Sequence, residues 1–299
     1  NNIKLFIEQY IKPYTYIFID EFQHAKKGGK HLKYIYDTNW KKIFISGSSK
    51  AELAIHSLNR LVGRVSIIEM HPLSFDEFIE HKSNNKYVLF EKNRKVGDLE
   101  QLDSEFEEFM RFGGYPRVVL EEDYEEKKRL LKNILQTYLY KEIKDILGYK
   151  ENKIFEDILR LLAAQNGKMI KKSKISKNMD ASWNKVSECI NVLTKTAIIT
   201  QVRPFHTNKS KEIVKMPKIY FNDPGFLNII LNNFQEIKYR RDKGEMYESF
   251  VLHEFIKEGI TPKFWNRQRS EVDFIIDKDQ EITAIEVKSN IDRVPYSLK

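Results

Sequence analysis

Cysteine is all but absent. Cys189 is the single cysteine in 299 residues, which excludes an internal disulfide framework and a cysteine-based zinc cluster. A reducing, cytoplasmic location is expected. No uninterrupted apolar run approaches the roughly 18 residues that a spanning helix needs, so no membrane partner is expected. Residues Asn1 to Tyr16 lack the basic stretch and apolar stretch of a signal peptide. The sequence also contains no G-x-x-x-x-G-K-[ST] phosphate loop. Gly28-Gly29-Lys30-His31 does not replace it, because the first glycine of the spacing and the hydroxyl residue after the lysine are both missing. The chain opens without an initiator Met and closes shortly after a strand-like run, so it is expected to be a fragment of a longer reading frame.

Charged residues make up 31% and hydrophobic residues 41% of the chain. That composition supports sizeable cores under a wet surface. The net charge of +8 permits nucleic-acid binding. A genome that favours Lys, Asn and Ile produces the same balance, and both readings stand.

The first eighty residues alternate between strand and helix patterns. Tyr16-Ile17-Phe18-Ile19 is an apolar run ending in Asp20-Glu21, as a buried parallel strand presents acids at its carboxyl end. A helix follows over Lys30–Asp37, then a strand over Lys42–Ile45 ending in Ser46-Gly47-Ser48-Ser49. A helix over Ala51–Leu61 and a strand over Val65–Glu69 complete the pattern. This alternation predicts an α/β fold with a parallel sheet. From Ser74 to about Gly148 the pattern is helical, with Phe106, Phe109 and Met110, and then Leu130, Leu131, Ile134, Leu135 and Leu139, at helical spacing. Lys82–Asn85 and Asn93–Asp98 read as loops. Helices over Ile154–Gln165, Lys171–Ser176 and Ser182–Thr194, followed by strands over Ala197–Val202 and Lys218–Phe221, suggest a winged helix. Asp180 or Ser182 is placed to cap its last helix. Lys168, Lys171, Lys172, Lys174 and Lys177 crowd the approach to that helix, which in a helix-turn-helix unit enters the major groove. The same lysines also fit a solvated face on a unit that packs against its neighbours.

The tail combines a helix over Gly244–Glu258 with strands at Phe264-Trp265, Val272–Ile276 and Thr283–Lys288. Alternation places Glu271 and Asp273 on one strand face, and Glu286 and Lys288 on one face of the next. A hairpin would bring Asp273, Glu286 and Lys288 together. Two carboxylates can bind Mg²⁺ through oxygen, and a nearby lysine can orient or deprotonate an attacking water.

The apolar-Asp-Glu run has the form of a Walker B motif. Its Asp would hold Mg²⁺ and its Glu would polarise the attacking water. With it come Ser46-Gly47-Ser48, Gly63-Arg64, His71-Pro72-Leu73-Ser74-Phe75, Glu77-Phe78 and Gly113-Gly114-Tyr115-Pro116. In this order the chain resembles, over essentially its whole length, prokaryotic AAA-superfamily ATPases. Asp273 and Glu286-x-Lys288 look like the PD-(D/E)xK motif of restriction-endonuclease-like folds, with Glu248 as the helical glutamate that completes the site. Trp265 and Arg267 resemble the segment that precedes it.

The resemblance implies Asp20 as the Mg²⁺ ligand, Glu21 as the catalytic base and Ser46 or Ser48 as a sensor. It implies Arg64 as a phosphate contact, in cis or reaching a neighbouring subunit, and Gly114 and Pro116 as shaping the contact with the nucleotide base. Arg64 is equally placed to cap a helix, and Gly113-Gly114 to form a plain turn before Pro116. In the tail, the implied metal ligands are Glu248, Asp273 and Glu286, with Glu286 and Lys288 catalytic.

The implied cofactors are ATP and Mg²⁺, and the implied partners are DNA and further copies of the chain in a ring. The implied architecture is a partial parallel P-loop-type ATPase sheet over 1–82, a helical lid over 83–150, a winged-helix-like middle over 151–221 and a C-terminal α/β restriction-endonuclease-like domain over 222–299. The expected function is an AAA-type ATPase coupled to a Mg²⁺-dependent DNA nuclease. The alternative is an ATP-switched regulator that binds nucleic acid or protein through an inactive nuclease-like fold. Without its phosphate loop this fragment is expected to bind ATP weakly or not at all.

Overall fold

The computed structural model describes residues 3–25, 28–39, 41–47, 61, 63–83, 96–146, 152–206, 208, 212, 215–268, 270–279 and 281–289. The fold is mixed α/β with small sheets. Two compact units divide it, Asn1–Met70 and His71–Lys299. No helix among the described residues is long and apolar enough to cross a membrane.

In the first unit, helical turns over Ile3–Phe6 and Ile7–Ile11 precede strand β1 (Tyr16–Ile19), helix α1 (Gly28–Asn39) and strand β2 (Lys42–Ile45). β1 and β2 pair in parallel, with Ile17 opposite Ile43 and Ile19 opposite Ile45. Side chains alternate across a strand. Ile17 therefore joins a cluster with Ile7, Ile11 and Ile35, while Phe18 and Phe44 stack on the other face at 4.9 Å between ring centroids and remain exposed. The expected third strand is not formed. Val65–Met70 has no strand pairing among the described residues, and Ile67, Ile68 and Met70 are exposed. An apolar run becomes a strand only where a neighbouring backbone meets its N–H and C=O groups. The expected helix over Ala51–Leu61 lies outside the described residues, apart from Leu61.

The second unit begins with α2 (Phe75–Ser83), α3 (Val96–Phe112), a short turn of helix over Pro116–Val119, and α4 (Tyr124–Ile146). Helix α2 starts on a capping box. The Ser74 hydroxyl accepts the Glu77 N–H at 3.2 Å, and the Glu77 carboxylate accepts the Ser74 N–H at 2.7 Å, so two orphan donors of the first turn are met reciprocally. Lys82 and Val96–Asp98, expected in loops, are helical. Phe75 and Phe78 pack into the main core with Phe109, Leu131 and Phe155. Phe75 meets Phe106 and Phe109 edge-on at 5.3 and 5.5 Å, the favoured arrangement of aromatic quadrupoles.

Next come α5 (Asn152–Ala164), α6 (Lys172–Asn178), α7 (Trp183–Lys195) and an antiparallel ribbon of β3 (Ile199–Val202) and β4 (Lys218–Phe221). Ser182, not Asp180, caps α7, accepting the Lys185 N–H at 3.2 Å. Val186, Cys189, Ile190 and Leu193 are buried at helical spacing. Burial pushes the Cys189 thiol up to about 11, which makes it an inert core residue. Lys168, Lys171, Lys174 and Lys177 are exposed.

The chain closes with α8 (Pro224–Leu231), α9 (Lys243–Lys257) and the antiparallel sheet β5 (Lys263–Arg267), β6 (Ser270–Lys278) and β7 (Glu281–Ile285), in that order. β7 ends at Ile285, so Glu286 and Lys288 follow the strand instead of lying on it. Val202, Tyr220, Leu252, Phe264 and Phe274 form one cluster. It fastens the β3–β4 ribbon to α9 and the last sheet, which brings β4 to the carboxylates of the tail.

Candidate functional site

The parallel register of β1 and β2 sets the residues after each strand side by side. Ser46 N–H donates to Ile19 O at 3.0 Å and Phe22 N–H to Ser46 O at 3.0 Å, continuing the ladder past the strand ends. The Ser46 hydroxyl donates to the Asp20 carboxylate, and the Glu21 N–H reaches the Ser46 oxygen at 3.3 Å. Glu21 has φ 49°, a left-handed conformation that costs a non-glycine residue about 1–2 kcal/mol. Strain of this kind concentrates where a side chain must be aimed. Arg64 Nε lies 3.2 Å from Asp37 on α1, with both side chains well exposed, a pair of little energetic weight. Ser48 lies outside the described residues.

Gly114 and Pro116 belong to the second unit and build a buried turn there. The Leu73 N–H donates to Gly114 O at 2.8 Å, and the Gly114 N–H donates to Asp223 Oδ2 at 2.8 Å, so both backbone polar groups of Gly114 are used inside the unit. Pro116 opens the short helix, where its missing N–H costs nothing. Asp223, overlooked in the sequence reading, also caps α8 by accepting the Phe226 N–H at 2.9 Å. Its signal was Asp followed by Pro at the first helical position.

The acidic cluster of the tail is assembled in part. Phe274 pairs with Ile285, so the next step of the antiparallel register sets Asp273 opposite Glu286. Asp273 Oδ2 accepts the Val287 N–H at 2.9 Å and lies 3.9 Å from Lys288 Nζ, which is 3.0 Å from Glu286 Oε1. The Glu286 side chain is 10% exposed, and its Oε2 is buried with no hydrogen-bond partner. An unmet carboxylate oxygen at such burial costs several kcal/mol unless a proton or a cation satisfies it. Burial opposes the charge of Lys288, but Glu286, Asp273 and Glu248 outweigh it and hold its ammonium above the ordinary lysine value.

Glu248, on α9, is committed elsewhere. Its Oε2 accepts the Tyr220 hydroxyl at 2.6 Å and lies 3.5 Å from Lys218 Nζ. Lys218 also meets Glu271 at 2.5 Å. Burial, with the charges of Asp273 and Glu271 adding and Lys218 and Tyr220 opposing, holds the Glu248 carboxyl above its usual range. Among the described residues no group of three His, Cys, Asp or Glu side chains is arranged to hold a metal ion. Asp273 and Glu286 remain as a pair, and Mg²⁺ is commonly held by one or two carboxylates together with water and substrate oxygens. The buried, unmet Glu286 oxygen fits such an ion. Lys218 and Tyr220 escaped the sequence reading because they sit on a ribbon far from the tail in the chain.

Three family comparisons match successive segments: an AAA domain over residues 1–79, a domain of unknown function (DUF8612) over 103–236, and a domain of unknown function (DUF4143) over 243–299. An uncharacterized protein of Methanocaldococcus jannaschii is 28% identical over 293 residues, covering 89% of this chain and 59% of that protein. An uncharacterized protein of Haemophilus influenzae is 24% identical over 281 residues, covering 92% and 66%. An uncharacterized protein of Mycobacterium tuberculosis is 20% identical over 253 residues, covering 83% and 52%. The chain thus spans 59% and 66% of the length of the first two relatives. No solved structure matches it. The AAA match likens residues 1–79 to an AAA domain, a likeness consistent with nucleotide binding in that segment.

Proposed function

We propose that this chain is part of an ATP-binding AAA-type ATPase coupled to a Mg²⁺-dependent, nuclease-like unit that acts on DNA. The observation that carries the nuclease half is the meeting of Asp273, Glu286 and Lys288, with the second Glu286 oxygen buried and unmet. A Mg²⁺ ion held by Asp273 and Glu286 would supply Lewis acidity at a scissile phosphodiester. Lys288, an ammonium partly exposed beside them, orients the attacking water and sets a positive charge against the phosphate.

In the ATPase half, Asp20 would hold the Mg²⁺ of the nucleotide and Ser46 fixes its carboxylate. Glu21 polarises the water that attacks the terminal phosphate. The exposed Arg64–Asp37 pair is weak enough for Arg64 to turn to phosphate, in cis or in a neighbouring copy of a homo-oligomer. The α5–α7 helices and the β3–β4 ribbon serve as a winged-helix-like relay between the two activities, and their exposed lysines suit a phosphate backbone.

A second reading is an ATP-switched protein whose tail grips nucleic acid without cutting it. The hold of Tyr220 and Lys218 on Glu248 favours it, because the third carboxylate is not delivered to the Asp273–Glu286 pair. The deciding experiment is DNA cleavage by the full-length protein with Mg²⁺ or Mn²⁺, with and without ATP, against its Lys288→Ala variant. Cutting that vanishes in the variant establishes the nuclease. Intact DNA binding without cutting under any condition moves the assignment to the switched binder.

A further inference from the structure

Lys218 is an anomaly in its strand. β4 reads Lys-Ile-Tyr-Phe and is buried along its whole length, yet its first residue is a cation whose side chain is only 7% exposed. Its Nζ lies over the Phe264 ring at 5.5 Å, 2.5 Å from Glu271 on β6 and 3.5 Å from Glu248 on α9. Tyr220, two residues on and thus on the same strand face, donates to the same Glu248 oxygen.

The four carboxylates of this region, Glu248, Glu271, Asp273 and Glu286, face two ammonium groups, Lys218 and Lys288. Two formal negative charges are left over, the complement of one divalent cation. Each ammonium faces two of the four, so one charge is left at each end. The unmet Glu286 oxygen marks the Asp273–Glu286 end as the one with a buried acceptor to spare, whereas at the other end Lys218 and the Tyr220 hydroxyl hold Glu248.

We infer that Lys218 is a built-in counter-ion which occupies Glu248 and Glu271 and so limits this carboxylate cluster to a single divalent cation, held by Asp273 and Glu286. The inference rests on the cation-binding reading of that pair. It gives β4 a role in the site: the ribbon delivers a fixed charge where a second ion would otherwise bind. Removing the Lys218 ammonium leaves the four carboxylates with only Lys288 to offset them. Mutual repulsion of that kind is relieved by taking up a cation.

The test counts Mn²⁺ bound per chain by electron paramagnetic resonance and equilibrium dialysis. Nucleotide is omitted, and an Asp20→Asn background silences the ATPase half. One Mn²⁺ is expected, lost in Glu286→Gln and retained in Glu248→Gln and in Lys218→Arg. Lys218→Met is expected to take up a second Mn²⁺, which disappears again when Glu248→Gln is added. An unchanged count in a folded Lys218→Met, with the Glu286-sensitive ion present, overturns the inference alone. Loss of the single ion in Glu248→Gln also overturns it, and that readout stands even if Lys218→Met does not fold. Absence of any Glu286-sensitive Mn²⁺ overturns the cation reading of the pair, and this inference with it.

Discussion

The Ser46 hydroxyl donates to the Asp20 carboxylate across the ends of two parallel strands, and the Glu21 backbone N–H reaches the same serine oxygen. A hydroxyl from one strand therefore fixes two consecutive acids on the other. Losing one such bond is worth about 1–1.5 kcal/mol, so Ser46→Ala is expected to slow ATP hydrolysis by the full-length protein about tenfold. Glu21→Gln should slow it roughly 10²- to 10⁴-fold, the range of a positioned general base, while ATP binding persists. Phosphate release and nucleotide titration measure the two quantities. Unchanged turnover in Glu21→Gln would remove this residue from the chemistry.

Metal binding at the tail should register as stability. A ligand that binds only the folded state, at about ten times its Kd, stabilises it by about 1.4 kcal/mol. Mg²⁺ is expected to raise the melting temperature of the wild type and of Glu248→Gln, and to leave Glu286→Gln unmoved. A rise that survives Glu286→Gln would place the ion elsewhere.

Gly113 has φ +77°, and a Cβ there would run into the buried Asp223 carboxylate. The left-handed backbone costs about 1–2 kcal/mol and the overpacking about 1–3 kcal/mol. Gly113→Ala is thus expected to lower the urea midpoint by the equivalent of roughly 2–5 kcal/mol. Gly244, with open space around its Cβ position, gains helix propensity on α9, so Gly244→Ala should stabilise by at most about 1 kcal/mol. Equal effects at the two sites would contradict this account of the Gly113–Asp223 contact.

The capping box sets a pH dependence. Burial pulls the Glu77 carboxyl upward, but Lys257 and the Ser74 amide and hydroxyl outweigh it and hold it below its ordinary value of 4.5. Because the folded value is depressed, Glu77 contributes stability that is complete above its ordinary value and is lost as the pH falls through the lower, folded one. Glu77→Gln should therefore narrow the stability difference from wild type on acidification below that point. Ser74→Ala should cost about 1 kcal/mol. Chemical denaturation across the acid range checks both. A Glu77→Gln difference that grows in acid would reverse the assignment.

Much of the local structure was legible beforehand. Val186, Cys189, Ile190 and Leu193 announce one buried face of α7 by spacing alone, and the sequence's Ser182 is its cap. The parallel pairing of Tyr16–Ile19 with Lys42–Ile45 follows from two short apolar runs with a helix between them. Val65–Met70 misled, because an apolar run declares hydrophobicity but not a hydrogen-bonding neighbour. The Ser74-Phe75-Asp76-Glu77 block, which served as a family signature, also has a plain structural task as a helix start.

The sequence by itself determined where the candidate side chains lie: Asp20 and Glu21 at a strand end, and Asp273, Glu286 and Lys288 at a spacing that a hairpin closes. These are local facts, set by the period of a strand and the reach of a turn. Only the tertiary structure decided what each acid faces. Glu248 turns to Tyr220 and Lys218 because the cluster of Val202, Tyr220, Leu252, Phe264 and Phe274 docks the β3–β4 ribbon onto the last sheet. No period in the chain encodes that docking, since hydrophobic burial is non-directional and the partners it selects lie far apart in sequence.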